Sequence, residues 1–103
     1  MDSKESILVK VKQSIRSIDP EAKIILFGSR ARNDSREDSD WDFLILTRAV
    51  ITQDLKNKIS DSLFETELET ESVLTGIVQN LDFWEDNSGA PIFRNISNDG
   101  VEI

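Results

Sequence analysis

A chain of 103 residues carries 12 basic and 20 acidic side chains, a net charge of −8, and has neither cysteine nor histidine. That length suits one domain, 1–103, with a modest core, and the acidic balance argues against nucleic acid as the bulk partner, since phosphate backbones call for basic surface. Without those two residue types there is no disulfide framework, no thiol chemistry and no common zinc ligand, so any metal chemistry must be carboxylate chemistry.

Residues 3–18 carry Ile7, Leu8, Val11, Ile15 and Ile18 at helical spacing, with Ser3 or Asp2 in position to cap. Lys4, Lys10, Lys12 and Arg16 fall mostly off that stripe and read as a solvated face. Asp19-Pro20 ends the helix, because a residue before proline avoids the helical region. Glu21–Phe27 is the first strand, apolar enough for burial on both faces. It stops at Gly28-Ser29. Gly28 permits a sharp turn and close approach to a ligand. Ser29 is a good N-cap for a short helix over Arg30-Ala31-Arg32, and free N–H groups at a helix start suit a phosphate.

The polar loop from Asn33 to Ser39 leads to Asp40-Trp41-Asp42 and the apolar run Phe43 to Leu46. On a strand, Asp40 and Asp42 share a face and Trp41 takes the other, where it belongs to the core. Two adjacent carboxylates repel unless a cation holds them, and hard oxygen ligands suit Mg²⁺ or Mn²⁺. A phosphate cradle beside a metal-binding carboxylate pair is the equipment of nucleotidyl transfer.

Thr52–Phe64 reads as a second long helix with Ile51, Leu55, Ile59, Ser62 and Leu63 inward and Thr52 as cap. In Glu65–Glu71, acids alternate with Thr or Leu, as in an exposed connection or a charged edge strand. Ser72–Val78 is the third strand, in which Gly76 marks a bulge or a close approach. Leu81–Asp86 reads as a short helix or turn, Pro91 as a first helical residue, and Val101–Ile103 as a frayed or edge tail. No apolar run nears the ~20 residues of a membrane span, and the first ten residues lack a signal peptide's apolar stretch. A cytoplasmic protein is the expectation.

The stretch Leu26–Leu46 resembles the signature of the minimal nucleotidyltransferases, small members of the DNA polymerase beta-like superfamily. Their pattern is an apolar strand, Gly-Ser, a short basic helix, a polar loop and Asp-x-Asp opening a second strand. Asn33 stands where this family often has Gly, a mild departure because Asn tolerates the left-handed conformation. The resemblance implies an α/β fold, a small mixed β-sheet with helices packed mainly on one face. It implies transfer of a nucleoside monophosphate from a triphosphate, ATP being the expected one, to a hydroxyl. Gly28, Ser29, Arg30 and Arg32 would hold the nucleotide, and Asp40 and Asp42 would hold Mg²⁺ or Mn²⁺. In active members a third carboxylate from the next strand completes the site. Thr75 falls at that position if the strands lie side by side; otherwise Glu69 or Glu71 can supply it, and Glu71 is the choice.

Many such proteins are antitoxins paired with an all-helical HEPN partner, on which a tyrosine would be the acceptor. Phe83, Trp84, Ile92 and Phe93 would either dock that partner or close the core beneath the sheet. Two classes stay open: a Mg²⁺-dependent enzyme, and a degenerate domain that binds nucleotide or neutralises its partner by contact alone.

Overall fold

The computed structural model describes residues 3–32, 40–87 and 89–103, without the side chains of Ser29, Arg32 and Ile92. The expected acidic loop, and Asn33 as a helix stop, fall outside those residues.

Helix α1 spans Lys4–Ile18, and the Ser3 side chain accepts from the Ser6 amide at its start. Ile7, Val11 and Ile15 are its buried stripe. Asp19 closes it in an extended conformation, as the following proline requires. The Asp19 carboxylate accepts from the Glu21 amide and from the buried Thr47 hydroxyl, so the helix end is fastened to the far end of the second strand.

Strand β1 is Lys23–Phe27 and β2 is Trp41–Thr47. They pair antiparallel, with Phe27 opposite Asp42. Helix α3, Gln53–Thr70, then crosses over to β3, Leu74–Asn80, which lies parallel to β2. The two-residue strand β4, Val101–Glu102, pairs with the other edge of β1. The sheet order is β3-β2-β1-β4. This is the small mixed sheet that the sequence implied.

Parity along the strands sorts the core. Trp41, Phe43 and Ile45 face α1 and α3 and pack with Ile7, Val11, Ile15, Ile59 and Leu63. Leu44 and Leu46 face the other way, onto Leu81 and Trp84 of α4, Leu81–Asn87. The short 3-10 turn Pro91–Phe93 and helix α5, Arg94–Asp99, complete that smaller cover. Phe93 meets Trp84 edge-on at 5.3 Å between centroids. Trp84 is therefore core, and Phe93 packs on it; Phe83 stays exposed at the rim.

The segment Glu65–Glu71 departs from its reading. It continues α3 to Thr70. The alternating acids suggest a period of two, but Thr66 and Thr70 are four apart and both are buried. Each hydroxyl donates to the carbonyl four residues back, at Ser62 and Thr66, which satisfies it inside the helix. Thr66 also meets the Ser14 hydroxyl of α1. The helix stops at Glu71, in the left-handed conformation with φ 54°. Among the described residues, no helix is long and apolar enough to cross a membrane.

Candidate active site

The site forms where β1 ends against the start of β2. Gly28 leaves β1 with φ +80°, which a side chain would strain. The turn continues into α2, Ser29–Arg32, and the Ala31 amide donates to the Gly28 carbonyl. Asp42 stands directly beside this turn. A Cβ added at Gly28 would lie 2.6 Å from Asp42 Oδ2, so backbone and carboxylate approach as only glycine allows. The expected close approach at Gly28 is thus made first to the site's own acid.

Asp42 lies on the strand face opposite the buried Trp41. On that face the cover supplied by α4 and α5 reaches Phe27, Leu44 and Leu46. Asp42 is one step beyond it and half-buried. Burial, and then the charge of exposed Asp40, raise its pKa above the ordinary carboxylate value. The two acids are near enough to repel, and no ion pair involves either among the described residues. Two uncompensated hard-oxygen donors fit a divalent cation such as Mg²⁺ or Mn²⁺.

Of the basic residues, Arg30 places its guanidinium 4.4 Å from the centre of the Trp41 ring, a cation–π contact. Its backbone carbonyl accepts from Lys4 of α1. This contact ties α2 to the core, a structural role that the sequence reading of Arg30 did not include. Ser29 and Arg32 belong to α2, immediately after Gly28.

The next strand offers no acid. Thr75 is the residue paired with Asp42 across β2 and β3. With Val73 and Ile77 it makes an uncharged, exposed stripe on the side of the sheet that carries Asp42. Glu71 sits at the end of α3, exposed, and is not part of a metal-holding group. Among the described residues, no three acidic side chains converge on one point.

The family model described as nucleotidyltransferase domain matches residues 8–84. The chain belongs to that family. The match runs from α1 to α4 and so takes in the Gly28 turn, both aspartates and β3. No curated protein matches the sequence. In this nucleotidyltransferase domain the Gly28 turn lies against Asp42, and Thr75 pairs with Asp42 from β3.

Proposed function

We propose that this nucleotidyltransferase domain binds a nucleoside triphosphate, ATP being the expected one, with Mg²⁺ or Mn²⁺. It would transfer the nucleoside monophosphate to a hydroxyl of a partner protein, in the manner of an antitoxin acting on a small helical HEPN-type toxin: the hydroxyl oxygen would bond to the α-phosphorus as the α–β bond breaks, pyrophosphate leaving and the hydroxyl proton passing to solvent. The observation that carries this reading is the contact of the Gly28 turn with Asp42. That contact brings the backbone of the turn against the carboxylate of Asp42, to which Asp40 is near enough to repel.

Phosphoryl-type transfer needs mainly positioning and charge neutralisation. Gly28 and the first turn of α2 would receive the phosphates, through the free N–H groups at the helix start. Asp40 and Asp42 would hold the cation, whose chemistry is to neutralise phosphate charge and lower the pKa of an attacking hydroxyl. Asp42 is the more deeply set acid, and its raised pKa reflects the cost of its charge without a counter-ion. The acceptor would approach over the open side of β3, past Val73, Thr75 and Ile77. The chain contains no tyrosine, so a tyrosine acceptor has to come from another protein.

A second reading rests on Thr75. A threonine at the partner position of Asp42 cannot add a charged ligand, and this favours a domain that binds nucleotide and partner but transfers slowly or not at all. One experiment separates them. The protein is incubated with Mg²⁺, each nucleoside triphosphate in turn and a candidate helical partner, and the partner is weighed by mass spectrometry. Addition of one nucleotide mass that disappears in Asp42→Asn supports transfer. Nucleotide binding without any added mass, converted to transfer by Thr75→Asp, supports the binding reading. Neither binding nor transfer with any nucleotide refutes both.

A further inference from the structure

Strand β3 forms one edge of the sheet, and among the described residues no strand pairs with its outer side. Its sequence, LTGIVQN, has no charge and no proline to discourage pairing. The Trp41 amide donates to the Val73 carbonyl, which fixes which groups face inward. In a parallel ladder the backbone groups of residues 73, 75, 77 and 79 then point to β2, and those of Leu74, Gly76, Val78 and Asn80 point outward. Two of these outward N–H groups are already capped. Glu67 Oε1 accepts from Leu74 at 2.8 Å, and Gln79 Oε1 accepts from Asn80 at 2.9 Å. Gly76 and Val78 lie between the caps, a short window of open edge.

Beside this window runs a groove of about 760 Å³ between β3 and α3, with Lys56 and Glu67 among its lining residues. Glu67 is tied to Leu74 and Leu63 lies against Gly76, so α3 runs antiparallel to β3. At ~1.5 Å rise per helical residue, the point on α3 level with Ile77 falls near Asp61. Lys56 then lies about 8 Å to one side of that level and Glu67 about 9 Å to the other. The edge therefore has opposite charges at nearly equal distances from its centre.

We propose that this edge pairs with the same edge of a second copy, antiparallel, about a two-fold axis at Ile77. That register sets Gly76 opposite the second copy's Val78, with both residues presenting outward N–H and C=O groups. It places each Lys56 near the second copy's Glu67. Ile77, 48% exposed in the single chain, meets its own counterpart across the axis, on the side of the sheet away from α3. Asp61, near the axis, is the one like-charge contact, set against two opposite-charge pairs. The sheet becomes eight strands, and the Asp42 sites of the two copies stay on the same face. A partner's basic strand could use the open window too, but the ends of α3 match a second copy in both sign and spacing.

Sedimentation velocity at physiological ionic strength across the micromolar range tests this. The wild-type chain is expected to shift from 11.7 kDa toward twice that mass as concentration rises. Ile77→Lys, which sets two ammonium groups face to face at the axis, is expected to hold the chain monomeric with unchanged circular dichroism. Lys56→Glu is expected to weaken the dimer at least tenfold. It changes only an exposed helix position, so it carries the test if Ile77→Lys fails to fold. A wild-type monomer throughout, or a dimer that neither variant weakens, overturns the proposal. Nucleotide binding is measured separately and does not bear on it.

Discussion

Burial and the neighbouring Asp40 both make the Asp42 carboxyl harder to ionise. Its folded pKa is above its unfolded one, so the proton is bound more tightly in the folded state. The contribution to stability is then fully present at pH below the unfolded value and is lost as pH rises through the folded value. At neutral pH without divalent cations, the ionised group opposes folding. Asp42→Asn is expected to melt at an equal or higher temperature than the wild type at neutral pH. That advantage should shrink as the pH falls below the carboxylate range. Thermal melts in chelator across a pH series check this; a variant less stable at neutral pH, or a difference that ignores pH, contradicts it. The inward Trp41, with Asp42 on the opposite side of the strand, was legible, because alternation fixes it. Arg30 on the Trp41 ring was not, since that contact joins residues brought together only by the turn and loop between them.

Helix α3 shows where local pattern misleads. Acids at every second position of Glu65–Glu71 mimic a strand face, yet Glu and Leu favour helix, and two buried threonines four apart complete the inner stripe. The sequence records those threonines as polar, and only their hydrogen bonds to the preceding turn make them core. Gly76 was legible as either a bulge or a close approach, and the approach is what the structure contains. A Cβ there would lie 2.5 Å from Leu63 Cδ1 and 3.3 Å from Ile45 Cδ1, so α3 sits on β3 at a distance set by a missing side chain. Gly76→Ala forces Leu63 out of its place, and overpacking of this kind costs about 1–3 kcal/mol. Urea unfolding should show a lower midpoint with an unchanged slope; a variant as stable as the wild type would mean that Leu63 turns aside freely. The short elements after β3 were read as turns and helices from Pro91 and the aromatic residues. That their aromatic residues close the core beneath the sheet was one of two readings, and Trp84 and Phe93 do so; which strand residues they cover, Leu44 and Leu46, was not legible, because the apolar residues of both sheet faces alternate within one continuous run.

At the scale of the whole molecule, the charge of −8 frames how a cation should act. An acidic chain attracts divalent ions over its surface in general, so stabilisation by Mg²⁺ alone says little about a site. A specific site couples cation and nucleoside triphosphate: Asp40 and Asp42 hold the first and the Gly28 turn receives the second, so each should strengthen the other. Ligand that binds only the folded state stabilises by mass action, and at about ten times its Kd the gain is roughly 1.4 kcal/mol. For a domain of about this size, that raises the melting temperature by roughly 6–11 °C. We expect Mn²⁺ or Mg²⁺ with a nucleoside triphosphate to produce such a shift, larger than the sum of the shifts from cation and nucleotide alone. Asp40→Asn with Asp42→Asn should keep the fold, because it removes a repelling pair, and should lose the coupled part while keeping any general response to cations. Differential scanning fluorimetry over the four combinations of ligand, for both proteins, separates the two effects. A coupled shift that survives in the double variant would place the metal elsewhere on the acidic surface, and additive shifts in the wild type would mean that cation and nucleotide do not share the Gly28–Asp42 corner.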